Sequence, residues 1–199
     1  RVNNGQTKQY AICMHPHGII PLSAWLWSAY CDQYMSSGDQ KLYGFGAAAD
    51  VVGYLPFLRN ILGWLTAGSA SYSALRDGLI EGKSPAANRA GRKPKHLYIL
   101  PGGIAEVFTS EPRRHVVVFK NRKGLCRLSL ETGAELVPTY VFGATDFFCT
   151  GATSDHALAR LSRKLRIGMT LFWGQWFCPL IPFTPKVTMC IGEPLPVER

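Results

Sequence analysis

Short apolar strands alternate with helical stretches along this chain, and three of the strands run straight into a loop built on glycine or proline. Residues 9–14 lead into His15-Pro16-His17-Gly18, residues 96–100 into Pro101-Gly102-Gly103, and residues 136–142 into Gly143. Apolar runs of that length, bounded by turn residues, read as buried strands. Residues 19–35, 56–66, 71–81 and 123–133 carry helical character between them. Shorter strands are expected at 41–45, 116–119 and 186–191, and a polar loop over 84–95. The alternation predicts an α/β fold, a mixed and largely parallel sheet flanked by helices. Ligand sites in such sheets lie beyond the C-terminal strand ends. The loops at 15–18, 101–106 and 142–146 then line one rim.

The chain has 199 residues, enough for one domain with a core of its own, and residues 1–199 are read as that domain. It starts at Arg1, almost on a strand, which is expected of an excised domain whose N-terminal anchor is absent. A formal charge of +9 suits anionic partners, such as a phosphate-bearing cofactor or an acidic membrane surface. The basic residues gather at 83–95, 113–127 and 160–166, and none of these stretches is a nucleic-acid motif, so no nucleic acid is expected. Six cysteines show neither CxxC nor zinc spacing, and no glycosylation sequon is present. Both point to buried thiols in a reducing, cytosol-facing setting.

Residues 167–185 form a long uncharged run. It nearly reaches bilayer length, but Gly168, Gly174, Pro179, Pro182 and Pro185 break it and Gln175 interrupts it, which argues against a spanning helix. Trp173, Trp176 and Phe177 suit a loop or hairpin at a membrane interface; a buried core segment is the competing reading. Residues 155–167 read as a basic amphipathic helix, with Leu158, Leu161 and Leu165 among Arg160, Arg163, Lys164 and Arg166. Such a helix rests on anionic lipid or is a plain surface helix.

His15-Pro16-His17-Gly18 concentrates the chemistry. Two imidazoles one residue apart in an extended segment point to the same side. They read as a general base, as a pair of metal ligands, or as packed structural residues. The metal reading lacks further ligands close by, since the next acid is Asp32. Pro101-Gly102-Gly103-Ile104-Ala105-Glu106 follows a strand, and its glycines suit close backbone approach and N–H groups facing an oxyanion. Glu106 sits one helical turn beyond, where its carboxylate can orient an imidazole, or else meets solvent. Asn121-Arg122-Lys123-Gly124 opens a helix and reads as a phosphate site or a solvated basic turn. Gly82-Lys83-Ser84 is rejected as a phosphate loop because Asp77 stands where its first glycine belongs.

Taken in order, these blocks resemble the type-2 diacylglycerol acyltransferase family, which includes monoacylglycerol and wax-alcohol acyltransferases. The blocks are His15-Pro-His-Gly18, Leu55-Pro-Phe-Leu-Arg59, Gly102-Gly-Ile-Ala-Glu106, Asn121-Arg-Lys-Gly124, Gly133-Ala-Glu-Leu-Val-Pro138, Phe142-Gly143 and Gly192-Glu-Pro194. The resemblance implies an acyl-CoA-dependent O-acyltransferase that makes triacylglycerol from diacylglycerol, with acyl-CoA as co-substrate, no tightly bound cofactor and no metal. It also implies a glycerol-phosphate-acyltransferase-like domain, at a membrane surface on the cytosolic face of the endoplasmic reticulum, at a lipid droplet or in a plastid. Monoacylglycerol, wax-alcohol or lysophospholipid acyl transfer, and a non-catalytic membrane lipid-binding module, are the alternatives. The chain departs from the His-x4-Asp pattern of the glycerol-phosphate enzymes: Leu22 and Ile20 stand five residues after His17 and His15. Glu106 is therefore expected to supply the acid and to orient His17 as the base. His15 is expected to support the loop, Gly18 to shape it, and Pro101, Gly102 and Gly103 to face the oxyanion. Arg122, Lys123 and Gly124, with Arg59 a further candidate, are expected at the CoA phosphates.

Overall fold

The computed structural model describes residues 8–34, 44–81, 95–120, 122–151 and 170–197. The helix expected at 155–167, the start of the strand expected at 41–45, most of the loop expected at 84–95, and Asn121 lie outside the described residues. In chain order the elements are β1 (Tyr10–His15), α1 (Leu22–Tyr34), β2 (Gly44–Ala48), a 3-10 turn (Asp50–Tyr54), α2 (Leu58–Trp64), β3 (Ala67–Ser69) and α3 (Tyr72–Glu81). They continue with β4 (His96–Ile99), α4 (Ile104–Val107), α5 (Lys123–Thr132), β5 (Glu135–Phe142), β6 (Cys149–Thr150), β7 (Phe172–Trp173), a 3-10 turn (Gln175–Phe177) and β8 (Thr188–Ile191).

Six strands form one sheet in the order β3-β2-β4-β1-β5-β8. The first five run parallel, and β8 pairs antiparallel with β5. β1 is central because it is apolar on both faces: Ala11, Ile12, Cys13 and Met14 are all buried. Alternation along the strands divides the core. Ala11 and Leu97 pack with Leu75 and Leu79 of α3 and Leu128 of α5. Ile12, Met14 and Tyr98 pack with Ala24 of α1 on the other side. Helices thus cover both faces, as the alternating pattern requires. α5 docks through Leu125, Leu128, Ser129 and Thr132, a single helical stripe.

Two expectations change. Residues 116–119 are not a strand; residues 114–119 are irregular, and the Val118 N–H donates to a carboxylate instead of a ladder. The buried-thiol expectation holds for Cys13, but Cys126 and Cys190 are exposed free thiols. Among the described residues no helix is long and apolar enough to cross a membrane.

The N-terminal end of β4, opposite the rim, holds a neutral imidazole. His96 is buried, and its Nδ1 accepts the Tyr10 N–H at 3.1 Å, so that nitrogen carries no proton. Burial depresses its pKa to about 4. The unfolded chain binds a proton here near pH 6.5 that the folded chain refuses. This stabilisation is present above about pH 6.5 and is lost as pH falls toward 4, an effect of about 3 kcal/mol. Urea unfolding across that range is expected to show a shallower slope for His96→Asn than for the parent chain. Leu97, fully buried between the helices, is expected to cost about 2–5 kcal/mol on substitution by alanine, read in the same assay.

Candidate active site

The three loops expected on one rim do meet. His15 is the last residue of β1, in register with Tyr140 of the neighbouring β5. Its peptide bond to Pro16 is cis. Gly18 turns the loop with φ +68°, and a Cβ there would stand 2.9 Å from the Ala144 carbonyl oxygen, so this loop lies directly against the turn after β5.

Glu106 is the centre of the arrangement. It sits on the single-turn helix α4, only 1% exposed. Oε1 accepts from His15 Nδ1 at 2.8 Å and from the Val118 N–H at 2.9 Å, and Oε2 accepts from the His17 N–H at 2.7 Å. Burial pushes this carboxyl upward, and the His15, Val118 and His17 hydrogen bonds outweigh it, so the group is held below the usual carboxylate range. Glu106 is therefore an ionised acceptor, and the His15 Nδ1 facing it is the protonated nitrogen. The carboxylate lies flat on Gly102, whose α-carbon has no room for a Cβ beside it. The edge of Phe119 meets the His15 ring at a centroid distance of 5.7 Å and sets its plane.

The expected contact between Glu106 and the His17 ring is replaced by one to the His15 ring; Glu106 holds His17 through its main chain alone. Beyond Pro16, the His17 ring turns back so that Nδ1 lies 2.9 Å from the Gly18 carbonyl oxygen. A carbonyl only accepts, so Nδ1 carries the proton and Nε2 keeps a free lone pair. Burial lowers the His17 pKa below the usual imidazole value, against the Gly18 carbonyl and the Glu106 charge, which raise it. His17 is partly buried, whereas His15 is 9% exposed. Among the described residues the site thus holds one imidazole locked onto a carboxylate and a second, on a less buried residue, whose Nε2 makes no hydrogen bond.

The remaining expected residues divide. The Gly103 N–H closes the turn onto the Leu100 carbonyl at 3.2 Å, whereas among the described residues the Gly102 N–H makes no hydrogen bond. Pro101 starts the turn, partly buried. Arg122 reaches the loop, its Nη2 donating to the Gly102 carbonyl at 2.8 Å. Lys123 and Gly124 are exposed at the start of α5. Arg59 is exposed on α2, and among the described residues its side chain makes no hydrogen bond to the histidine loop. Cys13, one turn of strand below, is held as a thiol because burial pushes its pKa up to about 12. Among the described residues no three His, Cys, Asp or Glu side chains are grouped to hold a metal.

Sequence reasoning missed Val118, Phe119, His115 and Tyr140. His115 Nδ1 lies 2.7 Å from the Tyr140 hydroxyl, and burial and the Glu106 charge raise that phenol's pKa. Only Tyr140 left a signal, its position on the strand beside His15. Val118 acts through its main chain, which no residue type announces.

Glu106→Gln is expected to be damaging despite its similar shape. All three partners are donors, and an amide presents two further N–H groups to them. A loss on the order of 3–5 kcal/mol is expected in urea unfolding. Gly102→Ala is expected to displace the same carboxylate, detected as a changed His15 imidazole resonance in proton–nitrogen NMR spectra.

The diacylglycerol acyltransferase family model matches residues 2–199. Among curated proteins the chain is 29% identical over 205 residues to Diacylglycerol O-acyltransferase 2-like protein 6 of Mus musculus, covering 96% of this chain and 58% of that one. It is 28% identical over 211 residues to Diacylglycerol O-acyltransferase 2 of Mus musculus, covering 97% and 50%. It is 28% identical over 206 residues to Acyl-CoA wax alcohol acyltransferase 2 of Homo sapiens, covering 97% and 58%. The chain spans about half the length of the curated relatives it matches. No solved structure matches it. With a family model covering all but its first residue, the chain belongs to the diacylglycerol acyltransferase family.

Proposed function

We propose that this chain transfers an acyl group from acyl-CoA to the hydroxyl of a lipid alcohol, with diacylglycerol as acceptor and triacylglycerol as product. The observation that carries this reading is the His17 ring: its Nδ1 proton is committed to the Gly18 carbonyl, and its Nε2 lone pair is free, in a loop locked by Glu106. In the proposed reaction His17 Nε2 takes the proton from the acceptor hydroxyl as its oxygen attacks the thioester carbonyl. The tetrahedral intermediate collapses with loss of the CoA thiolate, which receives that proton. The Gly102 N–H faces the oxyanion, with Gly18 and Pro101 shaping the approach. Arg122 and Lys123 at the start of α5, with Gly124 in its first turn, meet the CoA phosphates; Arg59 is a further cation for them. No tightly bound cofactor enters the scheme. Glu106 is a positioning residue that fixes the loop.

One contact favours a second reading, in which His15 is the base. The pair of His15 Nδ1 with Glu106 has the form of an imidazole oriented by a carboxylate. The acceptor range is the other open dimension. Relatives named for diacylglycerol and for wax alcohols match this chain equally well, at 28% identity. Monoacylglycerol and lysophospholipid are further acceptors to set beside them. A lipid acceptor and free thiols support work at a membrane or droplet surface facing a reducing compartment, which we assign to the cytosolic side of the endoplasmic reticulum membrane or a plastid.

Purified chain supplied with radiolabelled acyl-CoA and a panel of lipid alcohols is expected to form triacylglycerol fastest from diacylglycerol. His17→Ala is expected to lower turnover by roughly 10²–10⁴-fold. Near-normal transfer by that variant, with transfer abolished in His15→Ala, would assign the base to His15 instead. The pH profile carries a sign as well. A base whose pKa is lowered is already unprotonated at neutral pH, so kcat/KM is expected to be flat through neutral pH and to fall only at a pH below the ordinary imidazole range.

A further inference from the structure

We propose that the loop over residues 174–182 is a prong that docks the chain onto an anionic lipid surface. This deepens the acyl-transfer reading and rests on its premise of a lipid acceptor, although the residues that argue for it are separate from the histidine site.

The loop is closed by its own hydrogen bonds. The Gly174 N–H donates to the Cys178 carbonyl at 2.9 Å, and the Gln175 N–H to the Ile181 carbonyl at 2.8 Å. Gln175 Nε2 adds a bond to the Pro182 carbonyl at 3.0 Å. A Cβ at Gly174 would overlap the Ile181 carbonyl. On this stiff frame the apolar side chains stand outward: Trp176 is 81% exposed, Phe177 82% and Leu180 87%. Trp176 and Phe177 both adopt positive φ, at 53° and 57°, a region that bulky residues rarely enter. The Trp173 ring lies 6.3 Å from that of Phe177 and supports it from behind. A loop closed by these bonds that displays its largest apolar groups to water is built to meet an apolar phase.

Charge selects the occupant. Residues 156–192 contain no Asp or Glu and five Lys or Arg, of which Lys186 is exposed at the base of the loop. Exposed aromatic groups beside Lys186, in a stretch of sequence that holds no carboxylate, match an anionic membrane surface. The position fits too. The Phe183 N–H donates to the Phe147 carbonyl at 2.9 Å, and Gly143 packs against the Lys186 carbonyl, so both sides of the loop are tied to the turn after β5. That turn belongs to the rim carrying His15 and His17. Exposed Tyr54 and Phe57 follow the end of β2 on the same rim and offer a second apolar point. A lipid plane under this rim faces the histidine loop.

The test uses the full chain with two sets of vesicles, phosphatidylcholine alone and an equal mixture of phosphatidylcholine and phosphatidylserine. The chain is expected to sediment with the mixed vesicles and more weakly with the neutral ones. Replacing Trp176, Phe177 and Leu180 together by serine is expected to weaken partitioning on the order of tenfold or more. The same variant is expected to keep its melting temperature, because the three side chains are exposed. Undiminished vesicle binding by the triple variant would overturn the proposal. So would a parent chain that sediments as a dimer and a triple variant that is monomeric with unchanged vesicle binding, since a second copy then covers the loop. Equal binding to both vesicle sets would overturn the choice of anionic lipid. Acyl transfer to detergent-dispersed acceptor, measured in parallel, separates the two readings. Intact transfer with lost vesicle binding in the triple variant is the expected pattern, and vesicle binding without any transfer by the parent overturns the acyl-transfer reading alone.

Discussion

A single buried carboxylate organises the rim of this protein. Glu106 is almost wholly removed from water, and an ionised group in that position is tolerated only when donors replace its hydration. It takes those donors from separate parts of the chain: the end of β1, the main chain beyond Pro16, and the irregular segment at Val118. Each of them is held by the same contact that satisfies the carboxylate. The absence of a side chain at Gly102, the irregular course of residues 114–119 and the orientation of His15 all fit the needs of that one group.

Around it the fold does two further things. The parallel strands bring the C-terminal ends of β1, β4 and β5 side by side, so the histidine loop, the glycine turn and the turn after β5 share one edge. The antiparallel return of β8 then brings the chain back along β5, which ties the exposed aromatic loop to the same edge. The histidine loop and the exposed aromatic loop are neighbours because the turn after β5 packs against both.

Much of the architecture was legible from the residues. β1, β4 and β5 are apolar runs ended by glycine or proline, and α3 and α5 carry one buried stripe each. The convergence of three loops followed from strand direction alone. The pairing inside the site was not legible. Two imidazoles with one residue between them look equivalent in a list of residues. The turn at Pro16 separates them, sending the His15 ring to Glu106 and the His17 ring to its neighbour's carbonyl. Residues 116–119 failed for a related reason. Their β-branched, apolar composition favours a strand, but the Val118 N–H is worth more against a buried charge than in a ladder.

By itself, then, the order of residues determined the α/β alternation, the rim on which the histidine loop lies, and the family, because those depend on local periodicity and on side-chain type. Tertiary structure alone decided which imidazole the acid holds, which main-chain N–H groups complete its shell, and which apolar groups stay outside the core. Those are relations between segments roughly a hundred residues apart, as between His15 and Glu106, and local preference carries no information about direction across that distance.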